Sequence, residues 1–370
     1  MSGLPERADV LVIGGGVVGV AAADRLAAAG VGTVLLERGA LGSGASGSTA
    51  GVLRTYFPGN DLISGMAVRS LVAYHEFAAR TGTDLGLRQT GFLVLFTEAD
   101  QVADFRRTHA AQRAAGVRVE LVTAAEAARL NPLVDPRTVL AAAWSPDAYA
   151  CDPAAIVRGY AGAAERAGAL LRTDTPVTGI DPDGRVHTPA GSIRADTLVC
   201  AAGPWAGPVA AMAGVSLPVT TYPVELLLTA ASAGITTLPM TLHPSGLRIR
   251  GWGDRVLVGM GRPEPGETRE RWLDRVARRL AATFPALAGN RLEPGWSGDL
   301  DVSPDGMACI GMTRTDREPA RPVVYAAGFS GQGLCQAPAA AEIVRDLVLG
   351  EEPWTDPAAF AAARGVHSAG

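Results

Sequence analysis

No lysine occurs anywhere in the 370 residues, so all 33 basic side chains are arginine. That absence excludes a pyridoxal Schiff base, a P-loop phosphate clamp and a lysine general base. The arginine-only, alanine-rich usage reads as codon bias rather than as function. Cysteine is also scarce. Cys151, Cys200, Cys309 and Cys335 form no C-x-x-C pair, which excludes a disulfide-stapled scaffold and predicts free thiols. His75, His109, His187, His243 and His367 show no ligand spacing, so no metal centre is expected. Charged residues make up only 19%, but 48% of the chain is hydrophobic, which excludes general disorder. A net charge of −4 argues against nucleic acid or an anionic membrane surface as partner. Long apolar runs are missing as well. Residues 10–23 are preceded by Glu6 and Asp9, interrupted by three glycines and ended by Asp24-Arg25, which fits neither a leader nor a membrane span. A soluble cytoplasmic protein is expected.

What is present begins with a βαβ unit. Ala8–Ile13 reads as a buried parallel strand, Val17–Ala29 as a helix closed by Gly30, and Thr33–Leu36 as a second buried strand. Between strand and helix lies a G-x-G-x-x-G pattern: Gly14, Gly16, Val17, Val18 and Gly19. Gly14 permits a tight turn, Gly16 lets backbone approach a pyrophosphate, and Gly19 lets helix and strand pack closely. Glu37 falls at the end of the second strand, where a carboxylate accepts hydrogen bonds from a ribose diol, and Arg38 follows it. This unit alone does not separate FAD from NAD. The following loop does: Ser43, Gly44, Ala45, Ser46, Thr49, Ala50 and Gly51 belong to a small, hydroxyl-rich stretch suited to wrapping a longer dinucleotide.

Further along, helices are expected over 63–81, 99–115, 153–167 and 269–284, and strands over 91–96, 198–202 and 323–327. Residues 221–260 alternate in the manner of strands. Near the C-terminus, Gly328-Phe329-Ser330-Gly331-Gln332-Gly333 joins a strand to a helix starting near Leu334. Its glycines keep side chains off a planar ring, and the helix start presents a positive dipole end. The fold class expected is mixed α/β: a Rossmann-type FAD-binding domain carrying an inserted, β-sheet-rich substrate domain. The boundaries expected are 1–84, 146–218 and 296–370 for the first, and 85–145 and 219–295 for the second.

The segments ADVLVIGGGVVGVAAADRLAAAG, LLERG, GSGASGSTAGVLR, CDPAAIV, TLVCAAGPWA, GLRIRGWGDRVLVGMG, WSGDLDVSPDGMACIG and GFSGQGL occur in this order. In them the chain resembles the FAD-dependent D-amino-acid oxidase/sarcosine oxidase superfamily, in the glycine oxidase and dimethylglycine oxidase group. The resemblance implies oxidation of a C–N bond with hydride transfer to flavin N5. It also implies flavin contacts at Val177, Ala202, Gly203, Trp205, Gly328, Ser330, Gly331, Gln332, Gly333 and Leu334. Two departures imply non-covalent FAD: the loop reads GSTAGVL without histidine, and the other attachment position falls near Gly298, not cysteine. Where monomeric sarcosine oxidases carry lysines, this chain has Leu257 and Cys335. Slow reoxidation by O₂ is therefore expected unless Arg255 replaces the missing charge, and another electron acceptor stays open. The GLRP-type carboxylate arginine is missing from Gly298-Asp299-Leu300-Asp301. The remaining candidates to hold an amino-acid or amine substrate are Arg54, Arg248, Arg250, Tyr222 and His243. Two alternatives stay open at this point: a 2-hydroxy-acid oxidase, for which His243 would be the base, and a non-catalytic FAD-binding subunit.

Overall fold

The computed structural model describes residues 3–231, 237–314 and 321–365. Their strands form two eight-stranded sheets and one three-stranded sheet. The first sheet is built on the parallel strands Arg7–Ile13, Thr33–Leu36, Leu170–Arg172, Gly191–Cys200 and Pro322–Ala327. Arg7–Ile13 lies at the centre, between Thr33–Leu36 and Gly191–Cys200. Leu11, Val12 and Leu35 are fully buried, as continuous apolar runs require when helices cover both faces. Helix Val17–Ala28 packs against Pro153–Arg166 and Gly333–Leu349, so the chain's ends meet over this sheet. All of the first sheet's strands fall within 1–84, 146–218 and 296–370.

The second sheet runs in the order Leu292–Val302, Thr220–Thr229, Arg255–Gly259, Arg248–Trp252, Met240–Leu242, Phe92–Phe96, Ala141–Ser145, Glu120–Thr123. Every pairing is antiparallel except Met240–Leu242 beside Phe92–Phe96. Leu292–Val302 crosses the expected boundary at 296, because its whole length pairs with Thr220–Thr229. One face is covered by helix Arg269–Thr283. That helix buries Trp272, Val276 and Leu280, at a spacing of four, and leaves its arginines wet.

The expected helix over 63–81 is two helices, Asp61–His75 and Phe77–Thr81. Asn60 starts the first by accepting from the Ile63 amide, and Phe77 turns inward to meet Tyr160 edge-on at 4.8 Å. The four cysteines are free thiols. Among the described residues, no helix is long and apolar enough to cross a membrane, and no cluster of side chains is arranged to hold a metal.

Candidate active site

The first strand ends at Ile13, and the backbone turns at Gly14 with φ +114°, a left-handed value that disfavours any side chain. A Cβ on Gly14 would lie 2.4 Å from the Ala201 carbonyl oxygen. A Cβ on Gly19 would lie 1.9 Å from the Gly14 carbonyl oxygen, so helix Val17–Ala28 sits flush on the turn. The loop that follows the second strand is fastened to this helix start: the Val17 amide donates to Ser46 Oγ at 2.9 Å. The Glu37 carboxylate accepts from the Gly15 amide at 2.7 Å and the Gly39 amide at 2.9 Å. It therefore braces two turns of the cradle. The Arg38 guanidinium lies 3.4 Å from the centre of the Trp205 ring.

From this helix start a single cavity of about 720 Å³ runs to the second sheet. Of the residues expected to hold the dinucleotide, all line it except Gly19, Gly51 and Gly328. Those three act through the backbone behind the wall. Gly51 has φ +62° and Gly328 φ +73°, and Gly51 offers its carbonyl to Arg250. The cavity's size, the glycine cradle that a Cβ would fill, and the carboxylate at the end of the second strand fit FAD.

At the far side the turn before helix Gly333–Leu349 enters the cavity wall. Gly328, Ser330 and Gly331 are all left-handed, and Ser330 at φ +53° is the strained one. Asp301, which the sequence reading passed over, holds this turn. Its carboxylate accepts from the Phe329 amide at 3.0 Å, its carbonyl accepts from the Ser330 amide at 2.7 Å, and Ser330 Oγ accepts from the Ser303 amide at 3.3 Å. Burial pushes the Asp301 carboxyl pKa upward, against the pull of backbone amides, that of Phe329 first among them.

The substrate end is walled by Phe92, Met240, Leu242 and Leu257, with Arg54, Arg248, Arg250 and Tyr222 among them. Arg54 ends the strand Val52–Arg54. Its guanidinium lies 3.7 Å from the Phe57 ring centre and 4.8 Å from that of Phe92, and donates to the Tyr56 carbonyl at 2.5 Å. Among the described residues it has no carboxylate partner. Burial lowers its pKa to about 10, so it keeps its charge at neutral pH. Arg250 is 6% exposed and spends its donors on the Gly51 carbonyl at 2.8 Å and the Gly251 carbonyl at 3.1 Å. Its pKa too is lowered to about 10 by burial. Arg248 shares that strand face, is exposed and makes no hydrogen bond or ion pair among the described residues. Surrounding protein still holds its pKa below the ordinary arginine range.

His243 is a correction to the expected site. It lies outside the cavity wall, bound to Ser245: the Ser245 amide donates to Nδ1 at 3.1 Å, and Ser245 Oγ lies 2.8 Å away. Burial, then Arg279, lowers its pKa. Arg255 is ion-paired with Glu293 at 2.8 Å and does not line the cavity, so it brings no free cation beside Leu257. Phe92 is one of the wall residues that the sequence reading left unassigned. Its only signal was its place at the start of a short apolar strand after Gly91.

A Glu37→Gln substitution is expected to weaken FAD retention, because a neutral amide accepts less strongly than a carboxylate; hydrogen bonds to charged groups are worth about 1.5–3 kcal/mol each. Equilibrium dialysis of the apoprotein against FAD measures it. Unchanged affinity would show that the carboxylate braces the turns only.

The family model described as FAD dependent oxidoreductase matches residues 9–347. A glycine oxidase of Geobacillus kaustophilus is 28% identical over 382 residues, covering 99% of this chain and 100% of that one. The human mitochondrial sarcosine dehydrogenase is 33% identical over 267 residues, which is 69% of this chain but 29% of that longer one. Among solved structures, an L-proline dehydrogenase from P. horikoshii superposes with a TM-score of 0.88 at 28% identity, covering 98% of each chain.

Proposed function

The chain belongs to the FAD-dependent oxidoreductase family, and from that premise we propose that it oxidises the C–N bond of a free or N-alkylated amino acid whose carboxylate is held by Arg54. The observation that carries this reading is the Arg54 guanidinium: charged, without a carboxylate partner among the described residues, and set in the wall of the cavity that fits FAD. That its relatives are a glycine oxidase, a sarcosine dehydrogenase and an L-proline dehydrogenase supports an amine bearing a carboxylate.

FAD, when bound, supplies the electron sink that accepts the hydride. The glycine cradle, Glu37 and the Ser46 loop hold it, and the absence of histidine and cysteine at the two attachment positions supports non-covalent binding. The chain's other residues do the orienting. A planar guanidinium forks onto a carboxylate bidentately, and Phe57 and Phe92 fix its plane. The apolar wall of Met240, Leu242 and Leu257 excludes water around the reacting carbon. A neutral amine needs no base, because its lone pair supports the developing iminium. No histidine lines the cavity among the described residues, which counts against a 2-hydroxy acid, whose hydroxyl must lose a proton to a base.

An anaerobic screen of the yellow protein against amino acids, N-methyl amino acids and 2-hydroxy acids tests the reading. Amines with a carboxylate should bleach the flavin and hydroxy acids should not. On readmission of air, colour should return slowly, since neither lysine nor a free Arg255 stands at the sheet. Bleaching by hydroxy acids alone would overturn the substrate class.

A further inference from the structure

Holding one carboxylate accounts for one of the cations in the substrate end. Arg250 is already satisfied by two carbonyl oxygens. Arg54 faces the cavity with a single carbonyl acceptor. Arg248 lines the same cavity with no acceptor at all among the described residues, and its charge is felt at Arg54. Beyond it, the Arg262 guanidinium lies 4.3 Å from the centre of the Tyr222 ring, adding positive charge beside the same wall. The carboxylates that line the cavity are committed elsewhere. Glu37 is held by the Gly15 and Gly39 amides, Glu225 is paired with Arg269, and Asp301 is held by the Phe329 amide. Among the described residues, Arg54 and Arg248 are therefore guanidinium groups in the cavity wall that no carboxylate pairs. A ligand with one carboxylate would neutralise Arg54 and leave the exposed Arg248 facing the same cavity without an anion of its own.

We propose that the substrate is an amine carrying two carboxylates, one gripped by Arg54 and the second by Arg248. This rests on the amino-acid reading above and narrows it from amino acids in general to dicarboxylic ones, whether the second acid is on the carbon side chain or on the nitrogen substituent. Arg248 is then the specificity-determining residue. The competing account makes Arg248 a solvated cation at the cavity mouth that draws in any anion without choosing among them.

The FAD-loaded enzyme separates the two accounts by titration with acids that cannot be oxidised: acetate and propionate against malonate, succinate and glutarate. Binding is read from the perturbation of the flavin absorption. The best dicarboxylate should bind about tenfold or more tightly than the best monocarboxylate, as a second charge-assisted pair implies. Arg248→Met should erase that preference, leaving the two classes within about twofold of each other, and Arg248→Lys should restore part of it. Arg54→Met should weaken both classes. The proposal is overturned if monocarboxylates bind as well as dicarboxylates, or if Arg248→Met weakens both classes by the same factor. Equal FAD content in the variants and the parent removes misfolding as the cause, and should Arg248→Met not retain flavin, Arg248→Gln takes its place. Selective dicarboxylate binding with no amine able to bleach the flavin would sink the amino-acid reading and the amine with it, leaving only the two-carboxylate site at Arg54 and Arg248. Bleaching by monocarboxylic amines with no preference for a second acid would sink this one alone.

Discussion

Replacing Arg54 with alanine is expected to lower kcat/KM for a carboxylate-bearing amine by about 30-fold to several thousandfold, the equivalent of roughly 2–5 kcal/mol for truncating one partner of a desolvated charge pair. The size follows from the surroundings. Arg54 pairs with no carboxylate among the described residues, lies over Phe57 and Phe92, and keeps its charge despite a pKa lowered to about 10. Without it, a substrate carboxylate would lose the buried guanidinium that pairs it. Arg54→Lys retains charge but loses the planar fork, so recovery should be partial. The loss should shrink for an ester or amide of the same amine, which has no carboxylate to pair. If acid and ester suffer equally, or if the variant loses FAD, Arg54 belongs to the scaffold rather than to the substrate.

Gly19→Ala should be the most damaging single-methyl change in the dinucleotide half. The added carbon would lie 1.9 Å from the Gly14 carbonyl oxygen, a backbone atom that cannot rotate aside. Either the helix lifts from the turn or the turn deforms, and both move the amides that face the cofactor. The cost should reach or pass the upper end of the roughly 1–3 kcal/mol typical of overpacking, with FAD lost on purification. Gly16→Ala makes the comparison: its Cβ would meet only Ser46 Oγ at 3.2 Å, so stability should suffer less while cofactor affinity still falls. A Gly19→Ala protein that purifies yellow with an unchanged melting temperature would refute the close-packing argument.

The dinucleotide half was legible in the sequence because its signals are local. Gly14, Gly16, Gly19 and Glu37 sit within one strand-helix-strand unit, so spacing alone places them around one turn. The turn at Gly328–Gly333 was legible for the same reason. The substrate end was not. Arg54 meets Phe92, and Arg250 reaches the Gly51 carbonyl, through contacts that join segments far apart in the chain. Alternation correctly put Arg248 and Arg250 on one strand face, yet nothing in alternation says that one is spent on carbonyls and the other is not. Tyr222 reaches the wall as expected, whereas His243 is drawn aside by Ser245 two residues on. Asp301 was visible only as one residue of a stretch lacking an arginine. Its grip on the Phe329 amide depends on the isolated bridge that joins Val302, at the end of its strand, to Phe329 in the turn.

The loop from Gly42 to Gly51 is fastened on three sides. Ser46 receives the Val17 amide of the first helix, Trp296 Nε1 donates to the Ser48 carbonyl at 3.0 Å, and Arg250 donates to the Gly51 carbonyl. The last two come from the second sheet. Gly298 also lies so close to Ser48 that a Cβ would stand 2.3 Å from the serine's own. Two sheets with separate cores would ordinarily be free to melt in separate steps. Here neither can open without pulling the loop from the other, so heat should unfold the chain in one cooperative endotherm. Severing the link with Trp296→Phe, which keeps the ring and removes the donor, should begin to split that endotherm in two.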